Sequence, residues 1–414
     1  MTLSRDGTKR HPMNPRRTSE QPATRPPRRS TGRPAERGDI TRVEILALLS
    51  MAGPLDRRQI AKWLQLGVGT VHEHTRRLLA VGYLQALEPQ SGTVGRPRIP
   101  LRIVPEAAAT LGIRIATDHV VAVVVGLDGR MEVSDVHFFD PALAADPIAQ
   151  LLAVIRGYLD DPALRPRITA VGVATPDTVD PDTGYLHFAP RFGWTDFPLG
   201  RLLRDQLPVP VLVDNDLIAS ATAELLYGAG REYDDFLVLA LGDGVGLGAV
   251  LDRTVHRGPG GLSSEFGHTP VRDTGVLCGC GGRGCLETFT SDQGILREAR
   301  SRALATEDTD IAEIRTRAIA GDPGLLELLA DIGVILGHAL AGVVNLLGTP
   351  AIAVIGENHA LWPGLEPGFL DAMRTSPIAA AHRVKIVVRP WHDSQHARGA
   401  ATLALGVPGT LTRE

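Results

Sequence analysis

Residues 265–287 read EFGHTPVRDTGVLCGCGGRGCLE and contain every cysteine of the chain. The thiols of Cys278, Cys280 and Cys285 lie within eight residues, and His268 precedes the first of them by ten. Three thiolates and one imidazole complete the tetrahedral shell of a structural zinc ion and leave no open position for hydrolysis. The intervening glycines permit the tight backbone path that such a site needs, whereas unligated buried thiols would not require them. The stretch predicts a structural zinc site with the ligands His268, Cys278, Cys280 and Cys285.

Composition limits the class of protein further. The 414 residues are 43% hydrophobic, which is enough for a small domain and one or two larger lobes. An odd, clustered set of cysteines argues against a disulfide framework and for a reduced compartment. We find neither a signal peptide nor an apolar run of the roughly 20 residues that a membrane-spanning helix needs. We therefore expect a soluble cytoplasmic protein with no membrane partner.

The formal net charge of −4 conceals two parts of opposite sign. Residues 1–105 carry 19 Lys and Arg against 8 Asp and Glu, whereas the remainder carries 24 against 39. A basic segment on an acidic body is expected when one end of a protein binds a polyanion. Residues 1–38, rich in proline and cations and poor in large apolar side chains, are predicted to form a disordered basic tail, which could equally have no partner.

After this tail the pattern predicts a winged helix-turn-helix domain over residues 39–105. Apolar residues repeat at helical spacing in three segments, a glycine-containing turn separates the second from the third, and two short strands follow around a glycine-rich tip. The three helices are predicted from Ile40, at Arg57–Leu64 and at Thr70–Ala80, and the strands of the wing at Gly82–Ala86 and Arg98–Val104.

Polar and basic side chains of the third helix and the wing are the candidate DNA contacts. A helix in the major groove uses its first residues on base edges and its later cations on phosphates. The cationic tip Gly95-Arg96-Pro97-Arg98 is shaped for a narrow, A·T-rich minor groove. The same helix face would also suit a solvated surface or a protein contact. The predicted contacts are Thr70, His72, Glu73 and His74 on bases, Arg76 and Arg77 on phosphates, and Arg96 and Arg98 in the minor groove.

From residue 106 to residue 414, apolar strands alternate with amphipathic helices. This alternation predicts an α/β body with a mixed sheet. The predicted strands are 110–115, 119–126, 169–174, 209–213, 235–241, 245–251, 350–355 and 384–389. The predicted helices are 143–160, 216–228, 291–304, 309–320, 323–346, 359–374 and 395–405.

Several motifs of this body resemble the ROK family, which contains sugar-responsive repressors and sugar kinases. The most specific is Glu265-Phe-Gly-His268 followed by Cys278-x-Cys280-x4-Cys285-Leu-Glu287, and further matches are Val213-Asp-Asn215-Asp216 and Gly244-Val-Gly246-Leu-Gly248. The helix-turn-helix and Gly95-Arg96-Pro97 resemble the repressor branch, which includes xylose- and N-acetylglucosamine-responsive regulators. The resemblance covers about residues 40–410. It implies an actin-like (ribonuclease H-like), two-lobed sugar kinase fold with the ligand in the cleft between the lobes.

The resemblance also implies sugar contacts at Asn215, Asp216, Glu265, His268 and Glu287. Carboxylates and an amide suit the paired hydrogen bonds of a polyol. Asp216 matches the general base of the kinases, which takes a proton from the attacking sugar hydroxyl. Asn and Asp also cap helices, so that Asn215 and Asp216 could serve the following helix as well as a sugar.

One stretch departs from the kinases of the family at the phosphate loop. They have Asp-x-Gly-Gly-Thr where this chain has Arg114-Ile-Ala-Thr-Asp118. Side chains replace the glycines that let backbone N–H groups approach phosphate, and Asp118 adds negative charge. We therefore expect no ATP binding and no catalysis, with Asp216 holding sugar without transferring phosphate.

A second departure concerns the loops expected to face the sugar. Thr175-Pro-Asp177 and Pro190-Arg191 stand where the family usually has Pro-Gly and Pro-Asn. Arg191 would either select an anionic sugar derivative or pair with Asp177 and narrow the cleft.

Together these features predict a DNA-binding transcriptional regulator, a repressor of carbohydrate genes with a vestigial sugar-kinase domain as effector sensor. A homodimer or homotetramer would present recognition helices to half-sites about 34 Å apart on double-stranded DNA. Two alternatives remain open at this point. One is an active ATP-dependent sugar kinase with an accessory DNA-binding domain; the other is a zinc-stabilised module that binds DNA without responding to any ligand.

Overall fold

The computed structural model describes residues 34–90, 97–116, 119–138, 147–189, 193–376, 379–407 and 411. Its N-terminal part has three helices, α1 (Pro34–Ala52), α2 (Arg57–Trp63) and α3 (Val68–Ala80), followed by the antiparallel strands β1 (Leu84–Ala86) and β2 (Leu101–Ile103). This is the predicted order of three helices and a hairpin. Helix α1 begins at Pro34, so the prediction of disorder is wrong for residues 34–38; residues 1–33 lie outside the described part.

Helix α2 begins where the sequence provides a complete cap. The Asp56 carboxylate accepts hydrogen bonds from the backbone N–H groups of Arg58 and Gln59, and Gln59 Oε1 accepts from the Asp56 N–H. This reciprocal arrangement satisfies donors that the first turn of a helix leaves unpaired. It fixes the angle at which α2 leaves the preceding turn and hence where α3 lies.

The body has two lobes, each built on a five-stranded mixed sheet. The first lobe contains β3 (Ala109–Ile115), β4 (His119–Gly126), β5 (Met131–Phe138), α4 (Pro147–Leu159), β6 (Ile168–Thr175), β7 (Thr178–Asp180), β8 (Tyr185–Ala189), β9 (Trp194–Phe197), α5 (Leu199–Arg204) and β10 (Val211–Asn215). Its main sheet has the order β10-β6-β3-β4-β5, and β7-β8-β9 form a small separate sheet. Strand β3 is antiparallel to β4 and parallel to β6.

Helix α6 (Asp216–Tyr227) leads into the second lobe. That lobe contains β11 (Phe236–Leu241), β12 (Val245–Leu251), β13 (Thr254–His256), α7 (Glu287–Thr290), α8 (Asp292–Ser301), α9 (Ile311–Ile319), α10 (Pro323–Leu347), β14 (Ala351–Ile355), α11 (Trp362–Thr375), α12 (Ala379–Arg383) and β15 (Lys385–Val388). Its sheet has the order β13-β12-β11-β14-β15. Helix α13 (Ser394–Leu405) returns to the first lobe and packs on its sheet. Every predicted strand and helix of the body has a counterpart; β5, β7, β8, β9 and β13 are additional strands.

Helix α13 lies unusually close to the first sheet. A Cβ atom added to Gly172 of β6 would stand 1.9 Å from the carbonyl oxygen of Ala400, so only glycine allows this approach. Ala397 and Ala401 of α13 are fully buried against Val121 and Val123 of β4. Small side chains on both surfaces therefore fix the position of α13 on the sheet.

Helix α10 is the core helix of the second lobe. Leu329, Leu336 and Leu340 are buried beneath the sheet and against α11. Among the described residues it is the one helix long and apolar enough to cross a membrane, and half of its most apolar window is buried. The expectation that no segment has such a length and composition is therefore wrong. Its burial is that of a core helix in a globular lobe.

Candidate functional site

Four side chains of the quoted stretch come together as a potential metal site. One nitrogen of His268 and the sulfurs of Cys278, Cys280 and Cys285 all lie within 4.8 Å of one another. His268 Nδ1 is 3.4 Å from Cys278 Sγ, and Cys280 Sγ is 3.7 Å from Cys285 Sγ. The edges of a tetrahedron around zinc are about 3.5 Å for nitrogen to sulfur and about 3.8 Å for two sulfurs. The cluster can therefore hold a metal ion without rearrangement of these pairs.

The backbone of the loop explains why the thiols converge. The Cys278 N–H donates to the Gly282 carbonyl at 2.8 Å, which closes a tight turn around Cys280. Gly284, at φ +67°, adopts the left-handed region, and its N–H donates to the Val276 carbonyl. The Leu286 N–H donates to the Thr269 carbonyl and so ties the end of the loop to the residue after His268.

The thiols differ in how readily they ionise. Burial and a hydrogen bond with Cys280 raise the pKa of Cys285 to about 12, whereas the Gly282 N–H lowers the pKa of Cys280. A thiolate at Cys285 therefore requires a nearby cation, and a coordinated metal supplies one. The donor set and its chemistry both fit a metal held by three sulfurs and one imidazole.

A series of polar contacts leads from this cluster to the carboxyl ends of the first sheet. His268 Nε2, on the opposite side of the ring from the thiols, is 3.6 Å from Glu265 Oε2. Glu265 Oε1 accepts a hydrogen bond from Thr178 Oγ1 at 3.1 Å. The neighbouring Asp177 carbonyl accepts from Asn215 Nδ2 at 3.1 Å. Three of the predicted sugar contacts, Asn215, Glu265 and His268, are thus linked in one polar network.

The other two predicted sugar contacts border the same region. Glu287 begins α7, and its Oε2 accepts a hydrogen bond from the Val245 N–H at 3.1 Å. Its Cβ lies 3.4 Å from the position that a Cβ on Gly267 would take, directly beside His268. Asp216, the first residue of α6, is largely buried, and its Oδ2 lies 3.9 Å from His396 Nε2.

Asn215 caps the helix, as the sequence allowed. Its Oδ1 accepts from the N–H groups of Leu217 and Ile218, at 2.9 and 3.2 Å. Because its amide also donates to Asp177, most of the hydrogen-bonding capacity of Asn215 serves the protein itself. Asp216 follows the cap and carries the charge at the positive end of the helix.

The region of the expected phosphate loop contains a group of ion pairs. Arg114 Nη1, at the end of β3, contacts the Asp393 carboxylate and lies 3.6 Å from Glu357 Oε1. His119 Nε2 is 2.5 Å from Asp393 Oδ2. The Glu357 carboxylate packs directly on Gly242, leaving no room there even for a Cβ atom. Residues 117 and 118 of the stretch, like Pro190 and Arg191, lie outside the described residues.

Most of the side chains of α3 that we predict to contact DNA lie on its surface, but one does not. His72, Glu73, Arg76 and Arg77 are exposed and Thr70 is half-buried, but His74 is buried at 9% exposure. The expectation that His74 points outward is wrong, because it lies between Val71 and Leu78 on the inner face of the helix. Arg77 Nη2 donates to Glu73 Oε1 at 2.8 Å. Arg98 is exposed and pairs with Gln90 across the wing, and Arg96 lies outside the described residues.

The pattern of the ROK family matches residues 110–407, which is most of the chain. The chain belongs to the ROK family. It is 27% identical over 368 residues to the DNA-binding transcriptional dual regulator NagC of Escherichia coli K12, a match that covers 87% of this chain and 90% of NagC.

Two solved structures show the fold of this ROK protein. The ROK family transcriptional regulator that is a homolog of the E. coli Mlc protein superposes with a TM-score of 0.77 at 25% identity, over 91% of this chain and 98% of the other. A ROK family glucokinase from Streptomyces griseus, in complex with glucose and AMPPNP, gives a TM-score of 0.64 at 25% identity, over 72% of this chain and 99% of the kinase. The body therefore has the actin-like, two-lobed sugar kinase fold, preceded by an N-terminal DNA-binding region.

Sequence reasoning missed the residues of this ROK protein that approach the site from the C-terminal part. His396 of α13 is buried between Asp216 and Ser220, whose Oγ lies 2.9 Å from His396 Nδ1. Burial and the charge of Arg114 lower the pKa of His396 to about 3, so its ring is neutral at pH 7. Sequence reasoning also missed Asp393 and Glu357, because the segments that contain them have no recognisable motif.

Proposed function

We propose that this ROK protein is a DNA-binding transcriptional regulator, a repressor of carbohydrate genes that responds to a sugar or sugar derivative. This chain has both an exposed basic face on α3 and a polar network in the cleft of a sugar-kinase fold. The presence of both features in one chain is the observation that carries the proposal. The relation to NagC over 87% of the chain supports it. A cytoplasmic homodimer or homotetramer on a pseudo-palindromic operator follows from this function.

We assign the sugar contacts to Asn215, Asp216, Glu265, His268 and Glu287, and a structural zinc ion to His268 and the three cysteines. His268 can serve both sites through its two ring nitrogens, because Nδ1 points to the thiols and Nε2 points to Glu265. A bound zinc ion would hold the loop rigidly and so keep Glu265 and Glu287 in a fixed position relative to the first lobe. No hydrolytic role follows, because the four protein ligands fill a tetrahedral shell.

Phosphoryl transfer is disfavoured by the charges around Arg114. The carboxylates of Glu357 and Asp393 surround Arg114 at the end of β3, the residue that begins the stretch standing in place of the phosphate loop of the kinases, and negative charge there would repel the phosphates of ATP. Glu357 also packs on Gly242. The enzymatic alternative rests on Asp216. A coupled assay of ADP release over a panel of sugars should show no turnover above background. Robust turnover that Asp216→Asn abolishes would instead establish the kinase.

The regulator proposal is tested by affinity selection of genomic fragments with the purified protein. We expect enrichment of a palindromic site beside genes of sugar transport or catabolism. No enrichment at moderate salt would contradict the proposal. An operator affinity that no sugar or sugar phosphate alters would support the ligand-independent DNA-binding module instead.

Arg76→Ala should weaken binding to specific and nonspecific DNA alike. Arg76 is exposed on the recognition face, and we place it on a phosphate, so its loss removes a sequence-independent contact. The slope of log K against log salt should fall by about one unit. Fluorescence anisotropy at several salt concentrations measures this.

The matched control is Arg201→Ala, which removes an exposed arginine from α5 of the body. Its affinity and salt slope should equal those of the unmodified protein. If Arg76→Ala behaves like Arg201→Ala, Arg76 is not in the DNA interface.

A further inference from the structure

Helix α3 begins two residues earlier in the structure than the sequence predicts. Its first residue is Val68 rather than Thr70, so its first turn consists of Val68, Gly69, Thr70 and Val71. Val71 is fully buried and Thr70 is half-buried, whereas Val68 is 52% exposed. Since Gly69 has no side chain, Val68 carries the one well-exposed side chain of this turn.

The two glycines that flank Val68 are not required by the fold. Gly67, at φ −64° and ψ 139°, has a conformation that any residue can adopt, and its position before the helix favours a capping residue such as serine or aspartate. A Cβ atom on Gly69 would have no atom of the described residues within 4 Å, although glycine is a poor helix former. Glycine where the fold would accept a side chain suits a close approach of the backbone to a ligand.

Val68 begins a row of exposed side chains along one side of α3. His72 and Arg76 follow it at intervals of four residues, which places the three on the same side of the helix. The row changes from apolar at the start of the helix to cationic in its third turn. A helix in the major groove uses its first residues on bases and its later cations on phosphates, so this order matches the orientation that we propose for α3.

The major groove offers an exposed valine one kind of apolar partner. Base edges there carry hydrogen-bond donors and acceptors, and the C5 methyl group of thymine is the apolar group among them. A valine side chain cannot pair with donors or acceptors, but it gains free energy by covering apolar surface. The base contacts predicted from the sequence are all polar, and Glu73 is paired with Arg77 at 2.8 Å. Val68 therefore supplies a contact that none of them can replace.

We propose that Val68 contacts the C5 methyl group of a thymine in each half-site of the operator, and that Gly67 and Gly69 allow the backbone of α3 to approach the bases closely. The contact makes Val68 a specificity-determining residue of the DNA interface. It rests on the proposed function, because it requires that α3 enters the major groove. It adds to that function the identity of one base pair that the protein reads.

The test uses the operator recovered by affinity selection, in which deoxyuridine replaces each thymine of both half-sites in turn. Deoxyuridine lacks only the C5 methyl group, so it removes the proposed contact and leaves every hydrogen-bonding group of the base in place. At one thymine we expect the replacement to weaken binding to the unmodified protein about fourfold per half-site. In Val68→Ala the contact is already lost, so the same replacement should weaken binding by no more than about 1.5-fold. Fluorescence anisotropy measures the four affinities.

Val136→Ala is the matched control, because Val136 of β5 is a valine of the body with a similar exposure of 55%. This variant should respond to deoxyuridine as the unmodified protein does. Val68→Ala should also keep the salt slope and the affinity for nonspecific DNA, in contrast to Arg76→Ala, because an apolar contact to a base releases no counterions. A replacement that weakens binding to Val68→Ala and to the unmodified protein equally at every thymine overturns the proposed contact.

Gly69→Ala tests the close approach of the backbone separately. Alanine is the better helix former and has room at this position, so the variant should be at least as stable to heat as the unmodified protein. Its affinity for the operator should nevertheless fall about tenfold, because the added methyl group holds the helix away from the bases. Gly157→Ala, at an exposed glycine of α4 with similarly open space, is the control and should keep the affinity.

The outcomes separate this contact from the proposed function. If affinity selection recovers no operator, the proposed function fails and the contact fails with it. If an operator is found but Val68→Ala shows no coupling with any thymine, the contact alone is overturned. An operator affinity that Gly69→Ala leaves unchanged overturns the close approach of the backbone.

Discussion

Cys285→Ser should abolish stoichiometric zinc binding and lower the melting temperature by about 10 °C. Cys285 is buried, its sulfur lies 3.7 Å from that of Cys280, and the adjacent Leu286 N–H holds the loop to Thr269. A serine hydroxyl is a poor zinc ligand, so the remaining three ligands lose the closed tetrahedral shell. The loop then keeps its backbone hydrogen bonds, the bond from Arg283 to the Gly275 carbonyl and the contact of Arg272 with the Phe289 ring, but loses the metal that joins its two ends.

Metal analysis by mass spectrometry and thermal unfolding with and without a chelator measure both effects. The unmodified protein should contain one zinc ion per chain, and the chelator should lower its melting temperature towards that of the variant. Thr274→Ala, an exposed residue of the same loop that is not a ligand, is the control and should retain zinc. Freshly purified protein without zinc would refute the assignment outright.

The cluster of His268 and the three cysteines was predictable from sequence because these residues are close in the chain. Three thiols within eight residues cannot lie far apart in any fold. The structure brings all four predicted ligands together. The proposed sugar contacts rest on the family resemblance, because Asn215 and Glu265 come from different lobes and no spacing in the sequence brings them together. Their connection through Thr178 and the Asp177 carbonyl is a property of the folded chain.

The strands that sequence reasoning missed are either largely exposed or short. Strand β5 is the edge of its sheet and is exposed along most of its length, so its polar residues give no alternation to detect. The small sheet β7-β8-β9 consists of strands of three to five residues. Val179, Leu186 and Ala189 are buried there, but strands this short give too few alternating positions to be detected in the sequence.

His74 shows an error that the sequence could have avoided. The buried residues of α3 are Val71, His74, Thr75 and Leu78, which follow the spacing of one helix face. We assigned His74 to the outer face because it is polar. Its place in the helical repeat, on the same face as Val71 and Leu78, is what buries it. His396, by contrast, lies 180 residues from Asp216 and carries no motif, so only the fold reveals their proximity.

Asp216→Asn is expected to weaken binding of the effector sugar about 100-fold, because it removes the charge of a largely buried acceptor of sugar hydroxyls. Asn215 still caps α6 in this variant, so the helix begins at the same residue. His396, the nearest titratable neighbour that we identify, is neutral at pH 7 and cannot replace the lost charge. The loss should therefore appear in sugar affinity rather than in the fold.

Isothermal titration with glucose, xylose, N-acetylglucosamine and the 6-phosphates of the two hexoses measures the effect and identifies the ligand class. Tight binding of a phosphorylated sugar alone would support the anionic selectivity suggested for Arg191. Asp371→Asn, on the exposed face of α11, is the control and should bind as the unmodified protein does. Equal affinity of Asp216→Asn and the unmodified protein would remove Asp216 from the sugar site. If the unmodified protein binds none of these sugars, the cleft has lost its ligand, and the ligand-independent DNA-binding module becomes the better account of this chain.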